Sequence, residues 1–166
     1  MKVYLIGMPG SGKSTLGKDL AKALKSRFVD LDEEIEATEG KSIIEIFQED
    51  GEDKFRIIES DLLRSFSKST DEFVMSTGGG TPCHHDGLNI MNETGVSVYL
   101  KVSDSELCLR LEKEKESRPL LARNQSLESV ISKLLLERRD TYERAKIIIE
   151  SDHISTQDLE SAIARS

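Results

Sequence analysis

Val3-Tyr4-Leu5-Ile6-Gly7-Met8-Pro9-Gly10-Ser11-Gly12-Lys13-Ser14-Thr15 opens with an apolar run of strand length, rich in β-forming residues. Gly7 to Ser14 then fits G-x-x-x-x-G-K-[ST], the P-loop pattern. Thr15 to Leu24 follows with apolar residues at 16, 20, 21, 23 and 24, the spacing of a helix. Strand, glycine-rich turn and helix come in the order that anion binding needs. The glycines let successive backbone N–H groups turn inward, and the first helical turn adds unpaired donors and a positive dipole end. Gly10, Ser11, Gly12, Lys13, Ser14 and Thr15 are thus candidate contacts to the phosphates of a nucleoside triphosphate. Lys13 would serve the outer phosphates and the Ser14 hydroxyl would ligate Mg²⁺. A glycine-rich β-to-α turn that merely contains Lys-Ser is the plainer alternative, and the flanking strand and helix count against it.

The chain of 166 residues is one domain's worth, long enough for a substantial core. Its formal net charge of −8 argues against nucleic acid as a partner. No apolar run approaches a membrane span, and the N-terminus enters a strand without the features of a secretory signal. Cys83 and Cys108 lie far from metal-ligand spacing and read as reduced thiols, so a cytoplasmic protein is expected. There is no internal repeat, low-complexity tract or linker.

Outward from the P-loop, the reading alternates strands and helices. Arg27–Leu31 reads as a second strand, Phe73–Ser76 as a third, Val96–Val102 as a fourth and Lys146–Glu150 as a fifth. Between the second and third, Glu33 to Phe66 is helical in pattern, punctuated by Gly40 and Gly51. Ser103 with Glu106 forms a capping-box pattern before a helix to about Lys113. Glu114–Gln125 loses apolar periodicity, Leu127–Ala145 returns to helix, and Thr156–Arg165 closes the pattern. This alternation implies a parallel sheet covered on both faces, with ligands beyond the carboxyl ends of its strands.

Several residues near those ends could carry chemistry. Asp30 and Asp32, two apart at a strand end, would project to one side in extended backbone and could hold a metal-bound water and an acceptor hydroxyl. Equally, Asp32 before Glu33-Glu34-Ile35 could simply cap a helix. Arg56 could bind a ligand, or sit exposed and paired to Glu52, Glu59 or Ser60. Gly78-Gly79-Gly80 either admits close approach of a small ligand or makes a tight turn. Arg118, beside Pro119 in a charged stretch, could close over phosphates or be a solvated loop residue. Arg138 and Arg139 share that ambiguity. His84 and His85, next to Cys83, lack ligand geometry and are read as loop residues.

Taken in order, the P-loop, Asp30-Leu31-Asp32, Gly51…Phe55-Arg56…Glu59, Ser76-Thr77-Gly78-Gly79-Gly80, Arg118-Pro119-Leu120-Leu121 and Arg138 four before Tyr142 resemble shikimate kinase from residue 3 to about 145. The P-loop is widely shared; the combination is specific to that family. The resemblance implies an α/β, three-layer P-loop NTPase fold like that of nucleoside monophosphate kinases. Its five-stranded parallel sheet would have the order 2-3-1-4-5. It also implies one domain over 1–166, with a helical substrate-binding insert at about 32–62 and a lid at about 113–126. The implied reaction is MgATP plus shikimate giving shikimate 3-phosphate and ADP, a step toward chorismate and the aromatic amino acids.

Carried over by motif, Ser14 and Asp30 take the Mg²⁺ positions. Asp32 holds the shikimate hydroxyls and acts as base, and Arg56 and Arg138 clamp the carboxylate above Gly78, Gly79 and Gly80. Lys13 and Arg118 meet the transferring phosphate, and Arg110 lies against adenine. A monomer with shikimate and ATP as its partners is expected. Such a site suits shikimate independently, since one carboxylate and three hydroxyls call for forked guanidinium donors and a carboxylate acceptor. One departure concerns Arg139-Asp140-Thr141-Tyr142, which has aspartate where proline is common. This leaves the helix unbroken and makes Arg139 a rival to Arg138. Two other readings stay open: a gluconate-kinase-like enzyme, which would not call for Asp32, Arg56 and Gly78–Gly80 together, and a non-catalytic ligand-sensing domain of the same fold.

Overall fold

The computed structural model describes residues 1–114 and 126–166. The P-loop strand is β1 (Lys2–Ile6) and lies at the centre of the sheet, with β2 (Arg27–Asp30), β3 (Phe73–Ser76), β4 (Val96–Lys101) and β5 (Ile147–Glu150). Their spatial order is β2-β3-β1-β4-β5, and every pairing is parallel, as expected from the family motifs. Val3 to Ile6 is fully buried, because a central parallel strand is covered on both faces. The period-2 geometry of a strand then divides it. Val3 and Leu5 face a core that includes Leu20, Leu159 and Ile163, whereas Tyr4 and Ile6 face the larger core with Ile35, Leu63, Met91 and Tyr142.

The helices are α1 (Lys13–Ala23), α2 (Leu31–Glu39), α3 (Ile43–Glu49), α4 (Gly51–Lys68), α5 (Gly87–Thr94), α6 (Asp104–Glu114), α7 (Leu127–Tyr142) and α8 (Thr156–Ala164). Helices α1 and α8 carry Leu20, Leu159 and Ile163 into one core; the larger core lies on the sheet's other face. The resulting three layers place the carboxyl ends of β1, β2 and β3 side by side, with Leu5 opposite Ser76 and Ser76 opposite Asp30.

Some local expectations need correction. The backbone is not extended across Asp30 and Asp32, because α2 already begins at Leu31. The residue that caps α2 is Asp30, whose Oδ1 accepts from the Asp32 and Glu33 N–H groups; Asp32 lies in the first turn. The box at Ser103 is half formed. Its hydroxyl accepts from the Glu106 N–H, but its own N–H goes to Asp152, and Glu106 turns to Arg110 instead. Helix α5 was not anticipated. It is eight residues long and starts from Asp86, which lies in the left-handed region and makes no side-chain cap; in the sequence its entry, Asp86-Gly87, is equally a turn signal. Helix α7 runs unbroken through Asp140 and ends at Tyr142 rather than Ala145, where bonds from Arg144 N–H to Thr141 and from Ala145 N–H to Tyr142 tighten the chain into a turn.

Candidate active site

The phosphate loop is built by three glycines at positive φ: Gly7 (147°), Gly10 (82°) and Gly12 (91°). Gly12 is the N-cap of α1 and supplies no side-chain cap, so the first-turn N–H groups are left for an anion. Lys13 is buried, and its Nζ donates to the Gly7 carbonyl at 2.9 Å and the Met8 carbonyl at 2.8 Å. The ammonium therefore holds the loop's own oxygens in the shape a phosphate would occupy.

Next to this cradle stand three oxygen donors from three elements. The Ser14 hydroxyl donates to Asp30 Oδ2 at 2.7 Å and lies 3.0 Å from Ser76 Oγ. One carboxylate and two hydroxyls beside a phosphate loop form a hard-oxygen set, which suits Mg²⁺ with its preference for few protein ligands, phosphates and water. Asp30 uses both oxygens, one toward Ser14 and one to cap the helix bearing Asp32. Asp32 is half-buried, and burial pushes its carboxyl up to about 6, aided by the Asp30 and Glu59 carboxylates and opposed by Lys13.

A cleft of about 1100 Å³ joins these groups. Gly10, Ser11, Gly12, Lys13, Ser14, Thr15, Asp30, Asp32, Gly78, Gly79 and Arg110 all line it. At its far end Arg110 donates through Nε to Glu106 at 2.8 Å, through Nη1 to the Gly10 carbonyl at 3.3 Å and through Nη2 to the Asp152 carbonyl at 2.5 Å. With its edges committed, the guanidinium has its flat face left for stacking on an aromatic ligand.

Arg56, Arg138 and Gly80 do not line that cleft; Arg138 adjoins its wall at Gly79, and Arg56 lies against the next residue, Gly80. Arg56 is 9% exposed and pairs with Glu59 at 2.7 Å, with Glu52 farther off at 3.5 Å. The partners anticipated for an exposed residue are thus present, yet the residue is buried. Glu59, 1% exposed, also accepts from Thr81 Oγ1 at 2.6 Å. The glycine triplet explains how these groups fit. Gly78 to Thr81 makes a turn, closed by the Thr81 N–H donating to the Gly78 carbonyl at 3.1 Å, but none of the three glycines is at positive φ, so the turn itself does not require glycine. A Cβ on Gly80 would stand 2.7 Å from the Arg56 Cζ, one on Gly79 2.7 Å from Arg138 Nη1, and one on Gly78 2.9 Å from Glu59 Oε2 and 3.4 Å from Asp32 Oδ1. Two guanidinium groups and two carboxylates therefore approach one three-residue segment. Of the rival arginines, Arg138 reaches it and is half-buried, while Arg139 is exposed. Arg118 and the Arg118-Pro119-Leu120-Leu121 motif lie outside the described residues.

A family model for shikimate kinase matches residues 9–165. The chain belongs to the shikimate kinase family. The shikimate kinase of Parabacteroides distasonis is 40% identical over 158 residues, covering 94% of this chain and 91% of that protein. The crystal structure of the shikimate kinase from Bacteroides thetaiotaomicron superposes with a TM-score of 0.88 at 36% identity, over 99% of this chain and 95% of that one. The Acinetobacter baumannii shikimate kinase in complex with shikimate gives 0.87 at 32% identity, over 99% and 90%.

Within this shikimate kinase fold, sequence reading missed three groups. Glu59 stands in the sequence reading as a possible partner of Arg56 and as part of a family motif, with no role at the site, although its i,i+3 spacing from Arg56 is the available signal. Ser76 was seen as a strand end and not as an oxygen donor. The loop His153-Ile154-Ser155, which lines the cleft beyond Arg110, carries no motif and gave no signal.

Proposed function

We propose that this protein transfers the γ-phosphoryl group of ATP to the 3-hydroxyl of shikimate, giving shikimate 3-phosphate and ADP. The observation that carries this reading is the meeting of Arg56 and Arg138 at the glycine triplet, beside Asp32 and within reach of a phosphate loop. Arg56 Nε is buried and without a hydrogen-bond partner among the described residues, a donor that a carboxylate ligand would satisfy.

In this reading the N–H groups of Gly10 to Thr15 hold the phosphates, and Lys13 moves from the Gly7 and Met8 carbonyls to the transferring group. Arg110 stacks on adenine. Ser14 and Asp30 would hold Mg²⁺, which would neutralise charge on the phosphates. Arg56 and Arg138 fork the shikimate carboxylate and fix the ring over Gly78–Gly80. Asp32 accepts the proton of the attacking hydroxyl; its carboxyl near 6 suits a base working at neutral pH. Arg118 is assigned to the transferring phosphate, and residues 113–126 to a lid, on the sequence motif alone. Residues 32–62 would form the substrate-binding insert.

No helix among the described residues is long and apolar enough to cross a membrane, and a cytoplasmic monomer fits this reading. A coupled ADP-release assay with shikimate, gluconate and nucleoside monophosphates tests it. Turnover is expected with shikimate alone; preference for gluconate would overturn the acceptor assignment, and no turnover with any acceptor would overturn catalysis.

A further inference from the structure

Tyr142 closes α7 and is wholly buried, its ring against that of Tyr99 on β4 with centroids 5.0 Å apart. Its hydroxyl donates to the Gly79 carbonyl at 2.5 Å. Arg138 stands four residues earlier on the same helix, which places both on one face. The positive charge of Arg138 opposes the upward push of burial on the Tyr142 hydroxyl. Gly79 is where these contacts meet the nucleotide half of the site. A Cβ there would stand 2.7 Å from Arg138 Nη1, 3.2 Å from Pro9 Cδ and 3.6 Å from the Gly7 carbonyl. One backbone position thus separates the second guanidinium from the phosphate loop, and one phenol is bonded to it.

We propose that Tyr142 is a positioning residue for phosphoryl transfer: its hydroxyl holds the Gly79 carbonyl in place beside the Arg138 guanidinium, setting the distance between carboxylate clamp and phosphate loop. The inference rests on the reading of Arg138 as a clamp for the shikimate carboxylate. A buried tyrosine is otherwise a packing residue, and Phe would pack here as well. The hydroxyl is what needs explaining, since a buried phenol must find a partner and this one finds a carbonyl of the glycine triplet. Burial holds the phenol well above its usual range, so it stays a donor wherever the enzyme works.

The test is steady-state kinetics on wild type, Tyr142→Phe, Arg138→Lys and the double variant, with Tyr99→Phe as control. Tyr99→Phe alters the same aromatic pair away from Gly79 and should leave both KM values unchanged. Tyr142→Phe should raise KM for shikimate about five- to twentyfold while KM for MgATP stays within about twofold, the loss of one oriented hydrogen bond. In the Arg138→Lys background, where the fork is already lost, Tyr142→Phe should change KM for shikimate by less than about twofold, the non-additivity of groups acting as one unit. An unchanged KM in Tyr142→Phe, or a loss just as large in the Arg138→Lys background, would overturn the inference. So would a Tyr142→Phe protein without a cooperative thermal transition, because the hydroxyl would then serve folding as a whole. Absence of shikimate turnover in the wild type would instead overturn the functional reading itself.

Discussion

Asp32 sits where ionisation is disfavoured by burial, by Asp30 and by Glu59, and that has consequences for both rate and stability. In the proposed role of base it must be ionised, so kcat/KM for shikimate should fall on the acid side of pH about 6. Asp32→Asn should remove that limb and lower kcat by about 10² to 10⁴, while ADP binding stays nearly intact. The stability effect has the opposite sign. The folded carboxyl titrates near 6 and the unfolded one near 3.8, so below pH 3.8 both are protonated and no penalty exists. Between those values the unfolded chain ionises first and stability declines; above pH 6 a constant penalty of about 3 kcal/mol remains. Asp32→Asn should therefore be more stable than wild type at pH 7.5, and indistinguishable at pH 3.5, in urea unfolding curves. Asp32 could be picked out in the sequence by its place two after Asp30, but not its environment. Glu59, which raises its pKa, arrives from α4, and that contact has no signature in spacing.

At the level of elements, the joint after β3 is the instructive one. Its three glycines were visible in the sequence as something unusual, with two explanations in balance. The structure shows both, a turn closed by the Thr81 N–H on the Gly78 carbonyl and crowding by arginine and glutamate side chains, and with no positive φ it is the crowding that calls for glycine. Gly80→Ala should therefore displace the Arg56 guanidinium without disturbing the chain's course. It is expected to weaken shikimate binding by about tenfold or more and to leave ADP binding within about twofold, read by calorimetric titration. Equal loss of both would mean that the segment supports the nucleotide half instead. The strands and long helices were legible because a buried parallel sheet leaves unbroken apolar runs and an amphipathic helix leaves its period. Where the reading erred, the causes differ: a tertiary partner, Asp152, captured the Ser103 N–H that a capping box would have used, while α2 begins earlier than expected, at Leu31, so that the local cap is Asp30 and not Asp32. Helix α5 escaped because it is short and its entry, Asp86-Gly87, is equally a turn signal.

For the molecule as a whole, both half-sites hang from the carboxyl ends of neighbouring strands, so ligands should stabilise the fold by mass action. Shikimate at about 100 times its dissociation constant should add about 2.7 kcal/mol, or roughly 5–10 °C in Tm for a domain of this size. Gluconate at the same concentration should not, and differential scanning fluorimetry distinguishes them. Sheet order could be anticipated only through the family's motifs, since periodicity says nothing about which strand lies beside which. The phosphate loop also bears on inhibitor chemistry. Lys13 donates to two carbonyls of its own loop, so an anion that draws it away trades those bonds for its own, and its net gain must come from the uncapped N–H groups at the start of α1. Compounds that join a compact anion there to a flat heterocycle laid on Arg110 and against Ile154 should outbind either part alone.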